Sequence, residues 1–300
     1  MAIRTPEQTE PAAPPARPER PAPTRTEGRV MNVFSHGFLW LWAFMVVVPV
    51  VWVLVASFKT EREIASDPLG LPATPQWENY VNAWNNGNIG DYFLNTVQVM
   101  VFSVTGTMLL GAMAAYVIAR YSFPGNRVLY FVFAGGMMFP VFLALFPLFK
   151  TLQNVGLLNT YPGLILVYIA YSLPFTVFFL TAFFRTLPTG VAEAALIDGA
   201  GHYRLFFQVM LPMAKPGLVA ITIFNIIGQW NQFLLPLVLL NDPEDAVISQ
   251  GLANLALRQG YEGDPGALFA GTVMAMVPIF VAYIIFQRQI QAGLTAGAIK

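Results

Sequence analysis

Residues 193–199 read Glu193-Ala194-Ala195-Leu196-Ile197-Asp198-Gly199, and ten residues after that glycine the chain reaches Val209-Met210-Leu211-Pro212. Apolar stretches near 162–184 and 217–240, each long enough to cross a bilayer, flank the segment on both sides. A slim, alanine-rich helix bearing a carboxylate is hard to explain as packing between spans, where ionised groups are costly. Held in a loop, it reads as a docking piece for a soluble partner.

The flanking stretches set the class. The 300 residues are 56% hydrophobic and only 11% charged, whereas soluble domains run near a quarter charged. Six apolar runs are predicted as spans, near 38–58, 93–119, 128–149, 162–184, 217–240 and 267–287. About 20 residues suffice for a ~30 Å hydrocarbon core at 1.5 Å per residue. The fold class expected is therefore an all-α polytopic membrane protein with six transmembrane helices. A net charge of zero provides no strong field to attract nucleic acid or acidic ligands. The absence of cysteine excludes disulfides and thiol chemistry.

Residues 1–30 differ, with seven prolines between Pro6 and Pro23 among Ala, Arg, Glu and Thr. Such a composition buries too little apolar surface to offset chain entropy, so a disordered cytoplasmic tail is expected, followed by the membrane domain over 31–300. The segment lacks the short apolar core and cleavage site of a signal peptide. Six spans place both termini on one side. Twelve of the Lys and Arg residues fall on that side, including Arg120, Arg127, Arg185, Arg204 and Lys215. Lys59, Arg62, Lys150 and Arg258 fall on the other. The positive-inside rule puts the termini and the loop 185–216 in the cytoplasm. Trp77, Tyr80, Trp84, Tyr92 and Tyr261 in the outer loops are either interfacial anchors or contacts for an external partner.

Within the loop, Thr189 is expected as an N-cap, with Glu193 near the positive helix end. Gly199 and Gly201 allow a sharp break, and Pro212 must stop or kink the second helix, which starts near Tyr203. Short interfacial helices alone give such a pattern. The spacing adds weight: Glu193, Ala194, Ala195, Gly199, Val209, Leu211 and Pro212 resemble, in order and interval, the EAA loop of permease subunits of bacterial ABC importers. The loop spans 186–216, with Val209 where the family often has Ile. Asn95-Thr96, the stretch Gln229 to Pro236 and the ending Gly293 to Lys300 carry the resemblance over residues 33–300. It points to the carbohydrate-uptake class, to a subunit similar to the second maltose permease subunit, and within that to actinobacterial permeases for N-acetylglucosamine and chitobiose.

The resemblance implies a type I ABC importer permease fold in the bacterial plasma membrane. It implies a second permease subunit, two cytoplasmic ATPase subunits and an extracellular sugar-binding protein as partners. It assigns ATPase docking to Glu193, Ala194, Ala195, Asp198 and Gly199, and a C-terminal ATPase contact to Gly293, Thr295 and Lys300.

The chain contains no G-x-x-x-x-G-K-[ST] sequence, so ATP and Mg are expected on a partner and no cofactor in this chain. The two histidines, His36 and His202, are far apart in sequence, and neither a catalytic constellation nor a metal-ligand cluster is evident. A non-catalytic subunit is the expectation.

The span centres carry no charge. That disfavours an ion-coupled secondary transporter acting alone, the alternative from another class. It favours a neutral cargo. Asn225, Gln229 and Gln232 share one face of span five at helical spacing, beside Trp230 and Asn231. Amides pair with sugar hydroxyls and an indole stacks on a pyranose, but such amides also bond helix to helix. Tyr168 and Tyr171 are further candidates. Another neutral sugar or a polyol fits the same features.

Overall fold

The computed structural model describes residues 25–296, all of whose regular elements are helical. The chain divides into two compact units, residues 1–51 and 52–300. In the first unit the described residues belong to a single helix, α1 (Arg25–Ala56), which continues into the second unit and carries Pro49. Residues 25–30, expected in the disordered tail, belong to this helix; residues 1–24 of that expected tail lie outside the described residues.

The second unit contains α2 (Glu61–Ser66), α3 (Glu78–Asn85), α4 (Ile89–Arg120), α5 (Asn126–Gly136), α6 (Val141–Asn154) and α7 (Tyr161–Thr186). It continues with α8 (Thr189–Ile197), α9 (His202–Met213), α10 (Lys215–Trp230), α11 (Leu234–Leu239), α12 (Ile248–Glu262) and α13 (Pro265–Ala296). Four helices are long and apolar enough to cross a membrane without interruption: Ser35–Ala56 within α1, α4, α7, and Pro265–Gln289 within α13. Two bent pairs, α5 with α6 and α9 with α10, raise the number to six if each is one span.

The departures from six straight spans have local causes. The predicted span 128–149 is broken: α5 and α6 meet at 100°. The break follows Gly135-Gly136 and ends at Pro140, which offers no amide to continue a helical ladder. The predicted span 217–240 is also interrupted, α10 ending at Trp230 and α11 starting at Leu234. There Asn231 turns its side-chain amide onto the Ile227 carbonyl at 2.8 Å, a local bond that competes with helix continuation. Pro147, Pro174 and Pro278 sit inside helices.

α4 and α7 form the spine of the unit. A Cβ on Gly111 of α4 would lie 2.5 Å from Thr176 Cγ2 of α7, so the close approach needs a glycine there. Around one end of this pair a core of Tyr116, Phe184, Leu205, Phe206 and Met210 binds α9 to both spans. At the other end Tyr92 and Trp230 pack with Ala267 and Ala270 of α13. The loop helices α8 and α9 are thus fastened to α4 and α7 by the first of these apolar clusters.

Candidate functional site: an exposed loop helix and an aromatic cleft

The first site is the loop after α7. Pro188 precedes α8 with an extended backbone (φ −59°, ψ 133°), so Thr189 is the first helical residue rather than the expected N-cap. Proline fits this edge because it offers no amide to the first turn. At the far end Gly199 N–H donates to Leu196 O at 3.0 Å and Ala200 N–H to Ala195 O at 2.9 Å. With Gly199 at φ +79° this is a Schellman ending, which requires the left-handed conformation that glycine adopts without strain. The expected glycine elbow is therefore present.

α9 then runs to Met213, one residue past Pro212, where the helix was expected to stop or kink. The helix accommodates that proline by winding Leu205–Met210 as a π-helix, with Leu211 N–H donating to Phe206 O. It breaks at Ala214 and meets α10 at 76°.

α8 seats itself by Ala192 and Ala195, one turn apart, against the core around Phe184 and Met210. Glu193, Ala194, Leu196, Asp198 and Gly199 are exposed, and Ile197 is 85% exposed. α8 therefore leaves Val191, Leu196 and Ile197 and a single mid-helix carboxylate, Glu193, exposed on the side away from that core. Its entry is tied to a distant span: Arg120 at the end of α4 donates through Nη2 to Leu187 O at 2.6 Å. Its exit is tied as well, since the Tyr121 hydroxyl and His202 Nδ1 share a hydrogen bond of 2.8 Å. Arg185 lies over the Tyr130 ring, 5.0 Å from its centroid. The motif spacing identified the helix but not these anchors, which come from residues more than fifty positions away.

The second site is a cleft of about 370 Å³ beside α7 and α10, opening at the break between α5 and α6. Its walls include Phe139, Tyr168, Tyr171, Phe175 and Phe224, with Ser172, Asn225, Gln229 and Gln232 as polar groups. All three amides expected on one face line the cleft, although α10 ends at Trp230 and Gln232 reaches it from beyond the helix rather than from its face. Two of them are buried and already engaged. Asn225 donates to Thr176 Oγ1 at 2.9 Å and to Ile221 O at 3.1 Å. Gln229 donates to Ser172 Oγ at 3.1 Å and accepts from the Ser103 hydroxyl. These bonds knit α4, α7 and α10 together. Gln232 is half-buried and Tyr171 exposed. A Cβ on Gly228 would meet nothing within 4 Å, so the cleft floor is open there.

Trp230 and Asn231 are placed elsewhere. The indole N–H of Trp230 donates to Ala275 O at 3.0 Å, and its ring packs edge-on against Phe93. Both residues line a separate hollow of about 260 Å³ near α12 and α13. Lys300 lies outside the described residues, and Gly293 and Thr295 are described only as helical backbone of α13. Among the described residues no cluster of three His, Cys, Asp or Glu side chains is arranged to hold a metal ion. Phe139 was expected inside a continuous span over 128–149, and the break between Gly135-Gly136 and Pro140 turns it into the cleft instead.

Comparisons with known proteins agree with this geometry. The diacetylchitobiose uptake system permease protein NgcG of Streptomyces coelicolor is 55% identical over 272 residues, covering 91% of this chain and 90% of that protein. The trehalose transport system permease protein SugB of Mycobacterium tuberculosis is 36% identical, covering 84% of this chain and 92% of that protein. The fold matches a chain in the crystal structure of a bacterial ABC transporter that imports alginate, with a TM-score of 0.77 at 22% identity over 90% of this chain and 99% of that one. Residues 107–294, which include both sites, match the family model described as the inner membrane component of binding-protein-dependent transport systems. The chain is a multi-pass membrane protein and belongs to that family of permease subunits.

Proposed function

We propose that this chain is one of two membrane-spanning subunits of an ATP-driven sugar importer, and that α8 is its coupling helix. The observation that carries the reading is the stance of α8: seated by Ala192 and Ala195, tied at its entry by Arg120, and otherwise free to enter a partner's groove. Glu193 meets a basic side chain of an ATPase subunit, with Ala194, Asp198 and Gly199 at the same interface. Gly293, Thr295 and Lys300 add a C-terminal contact. Both termini and α8 lie in the cytoplasm in this reading, which the excess of basic residues on that side supports. The ATPase pair binds and hydrolyses ATP. Its closure pulls on α8, and the fastened α4, α7 and α9 transmit the pull to the cleft.

The cargo in this reading is N-acetylglucosamine or diacetylchitobiose, delivered by an external sugar-binding protein. The 55% identity to NgcG supports it, as does a cleft of aromatic faces and amides without a charged group among its lining residues. Gln232 and Tyr171 are the residues of this subunit best placed to touch the sugar. The test is uptake by the assembled transporter in liposomes, with labelled diacetylchitobiose competing against trehalose. Preference for diacetylchitobiose supports the cargo, and equal or better transport of trehalose rejects it.

A further inference from the structure

The segment between α1 and α3 is built more rigidly than a connector requires. Lys59 is only 1% exposed, and its ammonium donates to Asp67 O at 2.8 Å and Pro68 O at 3.2 Å. Glu63 closes a capping box with Thr60 and also accepts from the Ala73 amide at 3.0 Å. Asp67 Oδ1 accepts from Gly70 N–H at 3.0 Å, turning the chain back on itself. These bonds hold Pro68-Leu69-Gly70-Leu71-Pro72, a stretch without a charged residue, in one shape. Yet Leu69 is 85% exposed and Leu71 is 81% exposed. Ordering two leucines toward water would gain nothing, because burial of apolar surface is what favours folding.

The depth of the loop says what covers them. Pro68 O accepts from Trp52 Nε1 at 2.8 Å. Trp52 lies in α1 one turn before its last residue, Ala56, about 6 Å inside the helix end at 1.5 Å per residue. Side chains on a helix lean toward its N-terminus, so the indole sits no nearer the helix end than its own Cα. Pro68 is thus held back beside a membrane-spanning helix, at the level where tryptophans mark the interface. Trp52 packs edge-on against Phe269 of α13, which fixes the indole in that position. Of the charged residues of the segment, Glu61 and Arg62 lie exposed on the preceding helix, Lys59 is buried, Glu63 is half-buried, and the exposed Asp67 next to Pro68 turns its carboxylate back onto the Gly70 amide.

We propose that the Leu69–Leu71 turn is a lipid anchor, inserting both leucines at the boundary between headgroups and acyl chains on the side of the membrane where α1 ends. The occupant is the bilayer itself. Lys59, Glu63 and Trp52 set the depth of the turn.

The chain has no cysteine, so Leu69→Cys and Leu71→Cys each give a single spin-label site. The full transporter, assembled with cysteine-free partner subunits in nanodiscs of phosphatidylglycerol and phosphatidylethanolamine, is measured by power saturation against oxygen and a water-soluble nickel chelate. Glu61→Cys serves as the water-exposed control. Labels at 69 and 71 are expected to show an oxygen-to-nickel accessibility ratio several-fold above that at 61, unchanged by saturating sugar-binding protein. A ratio equal to that at 61 overturns the proposal. So does protection from both reagents, which would mean burial against the second permease, or a ratio that changes when the binding protein docks.

Discussion

Arg120 and Leu187 are joined by a 2.6 Å hydrogen bond across 67 residues of sequence, from the end of α4 to the entry of the loop that carries Glu193. The contact makes α8 an extension of a span that is not its neighbour in the chain. Motion imposed on α8 is therefore delivered to α4, and through the α4–α7 spine to the cleft. Arg120→Ala should leave α8 intact, because the helix keeps its Schellman ending and alanine seating. It should reduce ATP-driven uptake at least several-fold while the ATPase subunits still co-purify. Parallel measurement of uptake and subunit retention checks this.

Gly199 provides a backbone test. At φ +79° with open space around its Cβ position, the obstacle to a side chain is strain alone. A branched residue in this region costs about 1–2 kcal/mol, whereas asparagine is better tolerated. Gly199→Val should weaken ATPase retention, and Gly199→Asn should largely preserve it, as read by the ratio of ATPase to permease after purification.

The cleft separates two roles among its amides. Asn225 and Gln229 hold helices together, so Asn225→Ala should lower the melting temperature of the purified subunit. A buried hydrogen bond broken on one side costs about 1–3 kcal/mol. Gln232→Ala and Tyr171→Ala should instead raise the KM for sugar, by roughly tenfold for a loss near 1.4 kcal/mol, with little change in melting temperature. Equal melting losses for all three would contradict this division.

Gly228 offers a direct block. Its Cβ position faces empty space in the cleft, and a helix gains up to about 1 kcal/mol when an interior glycine gives way to a better helix former. Gly228→Leu should abolish uptake while expression, assembly and ATPase retention stay at the level of the unsubstituted protein.

The segment between α1 and α3 has a pH dependence of known sign. The backbone amide of Thr60, then that of Ala73 and the Thr60 hydroxyl, hold the Glu63 carboxyl below its usual range. A carboxylate with a lowered folded value supports the loop above its unfolded value and loses that support as pH falls through the folded one. Protection of the Ala73 amide against hydrogen exchange should hold at neutral pH and fall on acidification below the carboxylate range. In Glu63→Ala it should be low throughout.

The apolar runs made the helical class legible, since their length leaves few alternatives, and the interval from Glu193 to Pro212 located the loop helix. What the sequence concealed were long-range polar contacts and helix breaks. Nothing near Arg120 announces Leu187, and although Gly135-Gly136 and Pro140 mark a weak point beside Phe139, an apolar run of span length does not say that the helix turns there by 100°. The α10 amides Asn225 and Gln229 were placed on one face correctly by helical period. Period says nothing of partners, however, and for Asn225 and Gln229 it is the helix-to-helix alternative that holds, with Thr176, Ser172 and Ser103 as partners. Trp230 fell outside the cleft because its indole found the Ala275 carbonyl.

The central claim is that α8 receives the force of ATP hydrolysis through Glu193. Breaking a charge pair buried by docking costs about 3–5 kcal/mol, roughly two decades or more in affinity. The direct measurement uses Glu193→Lys in the transporter reconstituted with its ATPase subunits and sugar-binding protein, following ATP-driven sugar uptake and ATPase retention together. The account predicts that uptake is lost and the ATPase subunits dissociate. Uptake at the unsubstituted rate with the ATPase subunits still bound would contradict it.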